Sequence, residues 1–187
     1  MPLRLKEACV VWFTGLPGSG KTTLAARLTA ELKKRGVPVE HLDGDDVREL
    51  LSKKDFTKEA RDTHIRYIGF AASRLEAHGV FVVASFVSPY REARGLTRSL
   101  CRNFIEVYVH APSDVCQKRD PKGLYKRAMD GKIANFTGVQ DPYEAPLSPD
   151  LELDTSKLTT DEALAKVIKL IEPFIICHPE APQGRRI

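Results

Sequence analysis

The sequence predicts an α/β fold of three layers, with helices on both faces of a mainly parallel, five-stranded sheet. Two observations support this prediction. Short apolar, β-branched segments alternate with longer segments of helical periodicity, and a glycine-rich segment directly follows the first apolar run. Such alternation is typical of βαβ units, in which each crossover helix packs on a face of the sheet. The chain has 187 residues, so we expect residues 1–187 to form a single domain.

Five apolar segments are the predicted strands. They comprise residues 9–13, 37–42, 80–86, 104–109 and 151–153. The fifth segment alternates apolar and acidic residues, which is the pattern of a strand with one exposed face. We therefore place it at an edge of the sheet.

Three stripes of apolar residues at helical spacing predict the helices that pack on the sheet. Residues three or four positions apart lie on one face of a helix, so each stripe should be buried. The stripes consist of Leu24, Leu28 and Leu32, then Ile65, Ile68, Ala72 and Leu75, and finally Leu164, Val167, Ile168 and Ile171.

The segment 119–149 lacks apolar periodicity and is rich in Lys, Gly, Asp, Pro and Tyr. An irregular segment of this length is unusual inside a compact domain. Because another strand and an amphipathic helix follow it, we interpret it as a lid over an active site rather than as a linker. Residues 174–187 form a short C-terminal tail that we expect to dock loosely.

Composition and charge exclude several classes of protein. The chain is 42% hydrophobic and 29% charged, close to globular averages, which argues against disorder or a fibrous repeat. No apolar run approaches the roughly 18 residues that span a bilayer, and no secretory leader is recognisable, so we expect a cytoplasmic protein without a membrane partner. The net charge of +4 fits small anionic substrates and does not indicate nucleic acid. Four cysteines without a C-x-x-C pair predict free thiols.

Residues 15–22 read Gly-Leu-Pro-Gly-Ser-Gly-Lys-Thr and match the full P-loop pattern G-x-x-x-x-G-K-[ST] between a predicted strand and helix. The backbone N–H groups of such a loop and the N-terminus of its helix bind phosphate oxygens. Lys21 is expected to reach the β and γ phosphates of ATP, and Thr22 to offer its hydroxyl to Mg²⁺. The sequence therefore predicts a three-layer P-loop NTPase fold with a lid. The predicted ATP site comprises Gly15, Leu16, Pro17, Gly18, Ser19, Gly20, Lys21, Thr22 and Thr23.

The end of the second predicted strand carries Asp43, Asp45 and Arg48. A carboxylate there can hold a magnesium-bound water or accept the proton of an attacking hydroxyl, and an arginine can bind an acceptor anion. Asp45 or Asp46 could instead cap a helix. The sequence contains no N-K-x-D element of the kind that guanine-specific GTPases carry. These features favour a kinase, with Lys21, Asp43 and Asp45 as candidate catalytic residues.

Several segments together resemble the adenylylsulfate kinase family. They are the P-loop, the Asp-Gly-Asp of residues 43–45, Phe56 with Arg61 and Arg66, and residues 85–91, 119–126, 136–138 and 142–146. The resemblance runs from about residue 8 to about residue 175. It implies a P-loop kinase that uses ATP and Mg²⁺ to phosphorylate the 3′-hydroxyl of adenosine 5′-phosphosulfate (APS) and gives 3′-phosphoadenosine 5′-phosphosulfate (PAPS). It also implies a homodimer.

The same resemblance implies roles for individual residues. Arg119 and Thr155 are expected at ATP. Phe56 and Phe136 would stack on the adenine of APS, and arginines would bind its anionic groups. Ser88 matches a serine that carries phosphate in some relatives, although direct in-line transfer needs no phosphoenzyme. The residues expected at APS are Asp45, Arg48, Phe56, Arg61, His64, Val87, Ser88, Lys122, Asn135 and Phe136.

Three positions depart from the family pattern. Asp46 and His64 stand where the family usually has asparagine, and Ala60 replaces an acidic residue. A carboxylate beside an anionic acceptor costs Coulomb energy, so we expect Asp46 to point outward, whereas His64 can still donate a hydrogen bond. A P-loop kinase of another small anionic or nucleotide acceptor is the alternative within this class. A non-catalytic nucleotide-binding regulator is the alternative from a different class.

Overall fold

The computed structural model describes residues 3–49 and 57–177, without the side chains of residues 3–5, 45, 48, 49, 176 and 177. The strands are β1 (Leu3–Leu5), β2 (Val10–Thr14), β3 (Val39–Asp43), β4 (Phe81–Ser85), β5 (Phe104–His110), β6 (Leu151–Asp154) and β7 (Ile175–Cys177). The helices are α1 (Lys21–Lys34), α2 (Gly44–Glu49), α3 (Lys58–Ala77), α4 (Arg91–Leu100), α5 (Ser113–Arg119), α6 (Leu124–Met129) and α7 (Thr160–Ile171), with a 3₁₀ turn at Glu172–Phe174.

The main sheet has five parallel strands in the order β3-β4-β2-β5-β6. The predicted number of strands, their parallel direction and the edge position of β6 are confirmed. Because all five strands run the same way, their carboxyl ends lie at one edge of the sheet, where α/β proteins bind ligands. Phe13 of β2 and Asp43 of β3 both pair with Ser85 of β4, and this register brings the strand ends together.

Helices cover both faces of the sheet, as predicted. On one face, α1 and α7 pack against the side chains of Cys9, Val11 and Phe13. On the other face, α3 packs against Val10 and Trp12, whose ring stacks on two phenylalanines. Strand β2 is buried on both faces, which explains why its sequence is continuously apolar rather than alternating.

Two parts of the chain differ from expectation. The segment 119–149 contains helix α6 and a small apolar cluster of its own, in which Tyr125 and Phe136 meet edge to face. The tail is also more ordered than expected, because Ile175–Cys177 pairs antiparallel with Leu3–Leu5 in a second, two-stranded sheet that the sequence analysis missed. Residues 178–187 lie outside the described residues.

In the described part of the chain, no helix has both the length and the apolar character needed to cross a membrane. Cys9, Cys101 and Cys116 are free thiols, as predicted. Burial raises the pKa of all three, that of Cys101 to about 12. These thiols are therefore protonated and poorly nucleophilic at neutral pH.

The contact between α3 and α4 depends on a glycine. A Cβ atom on Gly69 would lie 2.5 Å from Thr97 Oγ1, whereas a Cβ atom on Gly95 of α4 would meet nothing within 4 Å. Gly69→Ala should therefore lower the free energy of unfolding by about 1–3 kcal/mol, because the helices must move apart. Gly95→Ala should raise it by up to about 1 kcal/mol through helix propensity alone. Urea denaturation followed by circular dichroism measures both, and similar effects of the two substitutions would contradict this packing.

Candidate active site

The P-loop joins β2 to α1 and is packed closely against the neighbouring β5 strand and α5. A Cβ atom on Gly15 would lie 2.0 Å from the carbonyl oxygen of Val109, and one on Gly18 would lie 2.7 Å from that of Cys116. Gly18 also has a φ of +75°, which favours glycine. The loop therefore requires glycine at both positions for steric reasons before any ligand binds.

Lys21 is the first residue of α1 and is 7% exposed. Its Nζ atom donates to the carbonyl oxygen of Leu16 at 2.7 Å and lies 3.4 Å from Ser19 Oγ. The ammonium group therefore lies across the loop, at the N-terminus of the helix, where phosphate oxygens bind in P-loop proteins. Lys21 and the loop residues that are expected to bind phosphate are therefore already close to one another.

Side-chain oxygens from three elements meet at the strand ends. Thr22 Oγ1 of α1 donates to Asp43 Oδ2 at 3.1 Å, and Ser85 Oγ of β4 donates to the same oxygen at 2.6 Å. Asp43 is 6% exposed. His41, two residues earlier on β3, has Nε2 3.3 Å from Ser85 Oγ, and burial lowers the pKa of its imidazole. A hydroxyl and a carboxylate beside the P-loop are oxygen ligands of the kind that Mg²⁺ prefers.

Residues 87 and 88 form the floor of the site beyond β4. Ser88 has a positive φ of 38° and is 2% exposed. Its hydroxyl accepts a hydrogen bond from Trp12 Nε1 at 3.1 Å and donates to Thr14 Oγ1 at 2.9 Å. Thr14 Oγ1 in turn donates to the carbonyl oxygen of Val87 at 2.9 Å. These contacts engage the hydroxyl of Ser88 within the protein core.

Arg61 of α3, predicted to bind the acceptor, contacts the segment 119–149. Its Nη1 atom donates to Thr137 Oγ1 at 2.7 Å and lies 3.2 Å from Asp141 Oδ2. The arginine side chain is 9% exposed. Its guanidinium is therefore held by two side chains from the predicted lid.

Arg119 and Thr155 lie together over the P-loop. Arg119 Nη1 donates to Thr155 Oγ1 at 2.9 Å, and its Nη2 donates to the carbonyl oxygen of Thr155 at 2.7 Å. Thr155 Oγ1 lies 2.9 Å from the carbonyl oxygen of Ser19 in the loop. The two residues expected at ATP are therefore in contact with each other and with the P-loop.

These features border one cavity of about 690 Å³. Asp43, which contacts Thr22 beside the P-loop, lines this cavity together with residues of α3 and of the segment 119–149. Predicted site residues that line the cavity are Pro17, Gly18, Gly20, Lys21, Thr22, Thr23, Asp43, Arg61, His64, Val87, Ser88, Arg119, Lys122, Phe136 and Thr155. The volume of the cavity is within the range of small-molecule binding sites.

The other predicted residues are placed differently. Gly15, Leu16 and Ser19 belong to the loop but do not line the cavity. Asn135 is exposed, has a φ of 54°, and also does not line it. Phe56 lies outside the described residues, as do the side chains of Asp45 and Arg48. Asp46 is exposed, as expected.

Sequence reasoning missed several residues of the site. It assigned no chemistry to His41 and did not identify Thr137 and Asp141 as partners of Arg61. It also missed the wall beside Thr155, which consists of Leu158, Thr159, Thr160 and Ala163. One signal for this wall was present, because Thr159 and Glu162 form a capping box that marks the start of α7.

A parallel sheet, a P-loop with its lysine and threonine in place, and room for a second substrate define a P-loop kinase. Residues 7–154 match the sequence model of the family described as Adenylylsulphate kinase, and the chain belongs to this family. The adenylyl-sulfate kinase of Halothermothrix orenii is 50% identical over 171 residues, 91% of this chain and 92% of its own. That of Chloroflexus aurantiacus is 51% identical over 168 residues, 89% and 90% of the two chains.

A solved structure gives the same result. The APS kinase of Mycobacterium tuberculosis in complex with AMPPNP and APS has a TM-score of 0.84 at 37% identity, over 89% of this chain and 98% of that one. The predicted P-loop NTPase fold and the family resemblance are confirmed. The protein is an ATP-using kinase of the adenylylsulfate kinase family.

The contact between Arg119 and the P-loop predicts a role in nucleotide affinity. Arg119→Ala should weaken binding of ADP by about tenfold, because a charged donor beside the loop is lost. Lys118→Ala is the matched control, since Lys118 is exposed and pairs with Asp114 on the surface of the same helix. The affinity of this control variant for ADP should stay within about twofold of that of the wild type. Isothermal titration calorimetry measures both, and equal losses would show that Arg119 does not act at the nucleotide.

Proposed function

We propose that this kinase transfers the γ-phosphoryl group of ATP to the 3′-hydroxyl of APS and releases PAPS and ADP. The observation that carries the proposal is the single cavity in which the P-loop and a second, cationic and aromatic end lie side by side. APS carries a phosphosulfate and an adenine, so its binding site needs positive charge and an aromatic face separate from the P-loop. The sequence family supports the same acceptor.

On the ATP side, the chain provides positive charge and holds the phosphate groups in position. The backbone N–H groups of the loop and the N-terminus of α1 bind the phosphates, and Lys21 neutralises charge that develops on the transferred group. Arg119 and Thr155 lie in contact with each other and with the loop, and are proposed to contact the nucleotide there. Catalysis then comes mainly from holding the two substrates in line.

The residues at the strand ends fit Mg²⁺. Thr22 can present an oxygen lone pair to the cation while its hydroxyl group continues to donate its hydrogen bond to Asp43 Oδ2, the contact already seen at 3.1 Å. One or two protein oxygens are enough, because Mg²⁺ at nucleotides takes its other ligands from phosphates and water. When bound, the cation would offset the negative charge of the β and γ phosphates.

The two aspartates are proposed to have different roles. Asp43 is engaged by Thr22 and Ser85 and is therefore assigned to the nucleotide and its cation. Asp45 follows in the first turn of α2, beyond the strand end, and we assign to it the orientation of the 3′-hydroxyl. Phosphoryl transfer through a loose transition state needs only a weak base at this position.

On the acceptor side, Arg61 and Lys122 provide positive charge, and Phe136 provides an aromatic face for the adenine. His64 lines the same end of the cavity and can donate a hydrogen bond where the family usually has asparagine. The segment 119–149 is proposed to close over both substrates and exclude water, which would otherwise accept the phosphoryl group. Its contacts with Arg61 would couple closure to acceptor binding.

A cytoplasmic location and a homodimer are further proposals that rest on the family resemblance. Light scattering coupled to gel filtration tests the homodimer. The homodimer predicts twice the chain mass of 20.9 kDa. A mass equal to that of one chain would contradict it.

A substrate panel tests the proposed reaction against its alternatives. ADP release in a coupled assay should be rapid with APS and negligible with AMP, CMP or gluconate. Turnover with one of the other acceptors instead would favour a kinase of a different small anion. No turnover with any of them, together with tight ATP binding, would favour a nucleotide-binding regulator.

Lys21 should be essential for chemistry but not for the fold. Lys21→Ala should lower kcat by at least about a thousandfold, because its ammonium group stabilises charge in the transition state. Lys34→Ala, at the exposed end of the same helix, should leave kcat unchanged. Circular dichroism should show both variants folded, and a Lys21→Ala enzyme with near-normal kcat would contradict the assignment.

Arg61 should act mainly on the acceptor. Arg61→Ala should raise KM for APS by about 10- to 100-fold while KM for ATP changes little, because one cation on the acceptor side is lost. The control is Arg66→Ala on the same helix, where the arginine pairs with Glu92 at the surface. An unchanged KM for APS in Arg61→Ala would show that this residue does not bind the acceptor.

A further inference from the structure

Ser85 is a buried polar residue at the strand ends to which the proposed mechanism assigns no role beyond its contact with Asp43. It is 3% exposed and donates to Asp43 Oδ2 at 2.6 Å, the shortest of the contacts made by this group of side chains. We propose that Ser85 is a positioning residue that fixes the carboxylate of Asp43 for binding of the magnesium–nucleotide complex, and that His41 holds the Ser85 hydroxyl in the required orientation. This inference rests on the magnesium role in the proposed function.

The strand register explains why these residues meet. Asp43 of β3 is paired directly with Ser85 of β4 in the parallel ladder. Side chains alternate along a strand, so His41 and Asp43 emerge on the same face of β3. The ladder therefore places one imidazole, one hydroxyl and one carboxylate in a row that ends at Thr22 of the P-loop helix.

The number of hydrogen atoms on each group determines which group donates and which accepts along this row. A serine hydroxyl has one hydrogen, and Ser85 directs it to Asp43 Oδ2. Its oxygen can then accept from His41 Nε2, which lies 3.3 Å away. The row therefore runs from His41 to Ser85 to Asp43, with each group orienting the next.

This arrangement restricts rotation about the terminal side-chain torsion of Asp43. The terminal torsion of an aspartate is broad, so a carboxylate held by one hydroxyl can still rotate. Thr22 and Ser85 approach the same oxygen from the P-loop side and the sheet side. A carboxylate held on two sides is already oriented when the cation arrives, which reduces the cost of binding.

Two other buried hydroxyls in the described chain make a different kind of contact. Ser73 donates to the carbonyl oxygen of Phe70, and Thr97 to that of Ala93, each within its own helix. Such bonds satisfy a buried hydroxyl without affecting another functional group. Ser73, which is 8% exposed, is therefore a matched control for removing a buried serine hydroxyl.

Calorimetric binding of ADP, with Mg²⁺ and separately with EDTA, tests the proposal without relying on turnover. Wild-type protein should bind ADP more tightly with Mg²⁺. Ser85→Ala should lose about fivefold in affinity for ADP with Mg²⁺ and show wild-type affinity in EDTA, because one hydrogen bond to the carboxylate is removed. His41→Phe should show a smaller loss in the same direction, and Ser73→Ala no loss under either condition.

Ser85→Cys retains a weak donor and similar volume, so it should show an intermediate loss, and it replaces the alanine variant if that variant does not fold. Equal affinities of Ser85→Ala and wild type with Mg²⁺ would overturn the inference and leave the proposed function intact. An equal loss in Mg²⁺ and EDTA would also overturn it, because Ser85 would then act on the fold. A wild-type protein indifferent to Mg²⁺ would remove the magnesium role itself and this inference with it.

Discussion

The hydrogen bond between Thr22 and Asp43 connects the two halves of the active site. Thr22 belongs to the helix that follows the P-loop, and Asp43 ends the strand that leads to the acceptor segment. This contact is possible because β2 and β3 are both parallel to the intervening strand β4, so their ends meet at one edge of the sheet. The fold therefore brings the proposed nucleotide and acceptor sides of the site together before either substrate contributes a contact.

A second network connects Ser88, beyond the end of β4, to Glu144 near the end of the segment 119–149. Arg94 of α4 is 3% exposed, and its guanidinium donates to the carbonyl oxygens of Ser88 and Glu144 at 2.6 and 2.7 Å and to Glu106 at 2.7 Å. These hydrogen bonds satisfy the buried guanidinium and join α4 to β5, to Ser88 and to the segment 119–149. The segment 119–149, which is proposed to close over the substrates, is thus anchored beside Ser88, while its contact with Arg61 lies at the cavity.

Sequence patterns were sufficient to predict the features that are formed by residues close together in the chain. The P-loop is eight contiguous residues with a fixed spacing, and the five strands of the main sheet were located to within two residues. Helix α6 has six residues and strands β1 and β7 have three each, so none is long enough to show a periodic pattern. The contact between Arg61 and Thr137 joins residues 76 positions apart, and the row from His41 to Asp43 depends on the register of two strands. Neither can be deduced before the strands are paired.

The central claim is that one cavity aligns the two nucleotides for phosphoryl transfer. A structure with AMPPNP, Mg²⁺ and APS bound tests this claim most directly. The account predicts that the 3′-oxygen of APS lies within about 3.5 Å of the γ-phosphorus, in line with its bridging atom, between Asp43 and Arg61. APS bound outside this cavity, or bound inside it with the 3′-oxygen directed away from the γ-phosphorus, would contradict it.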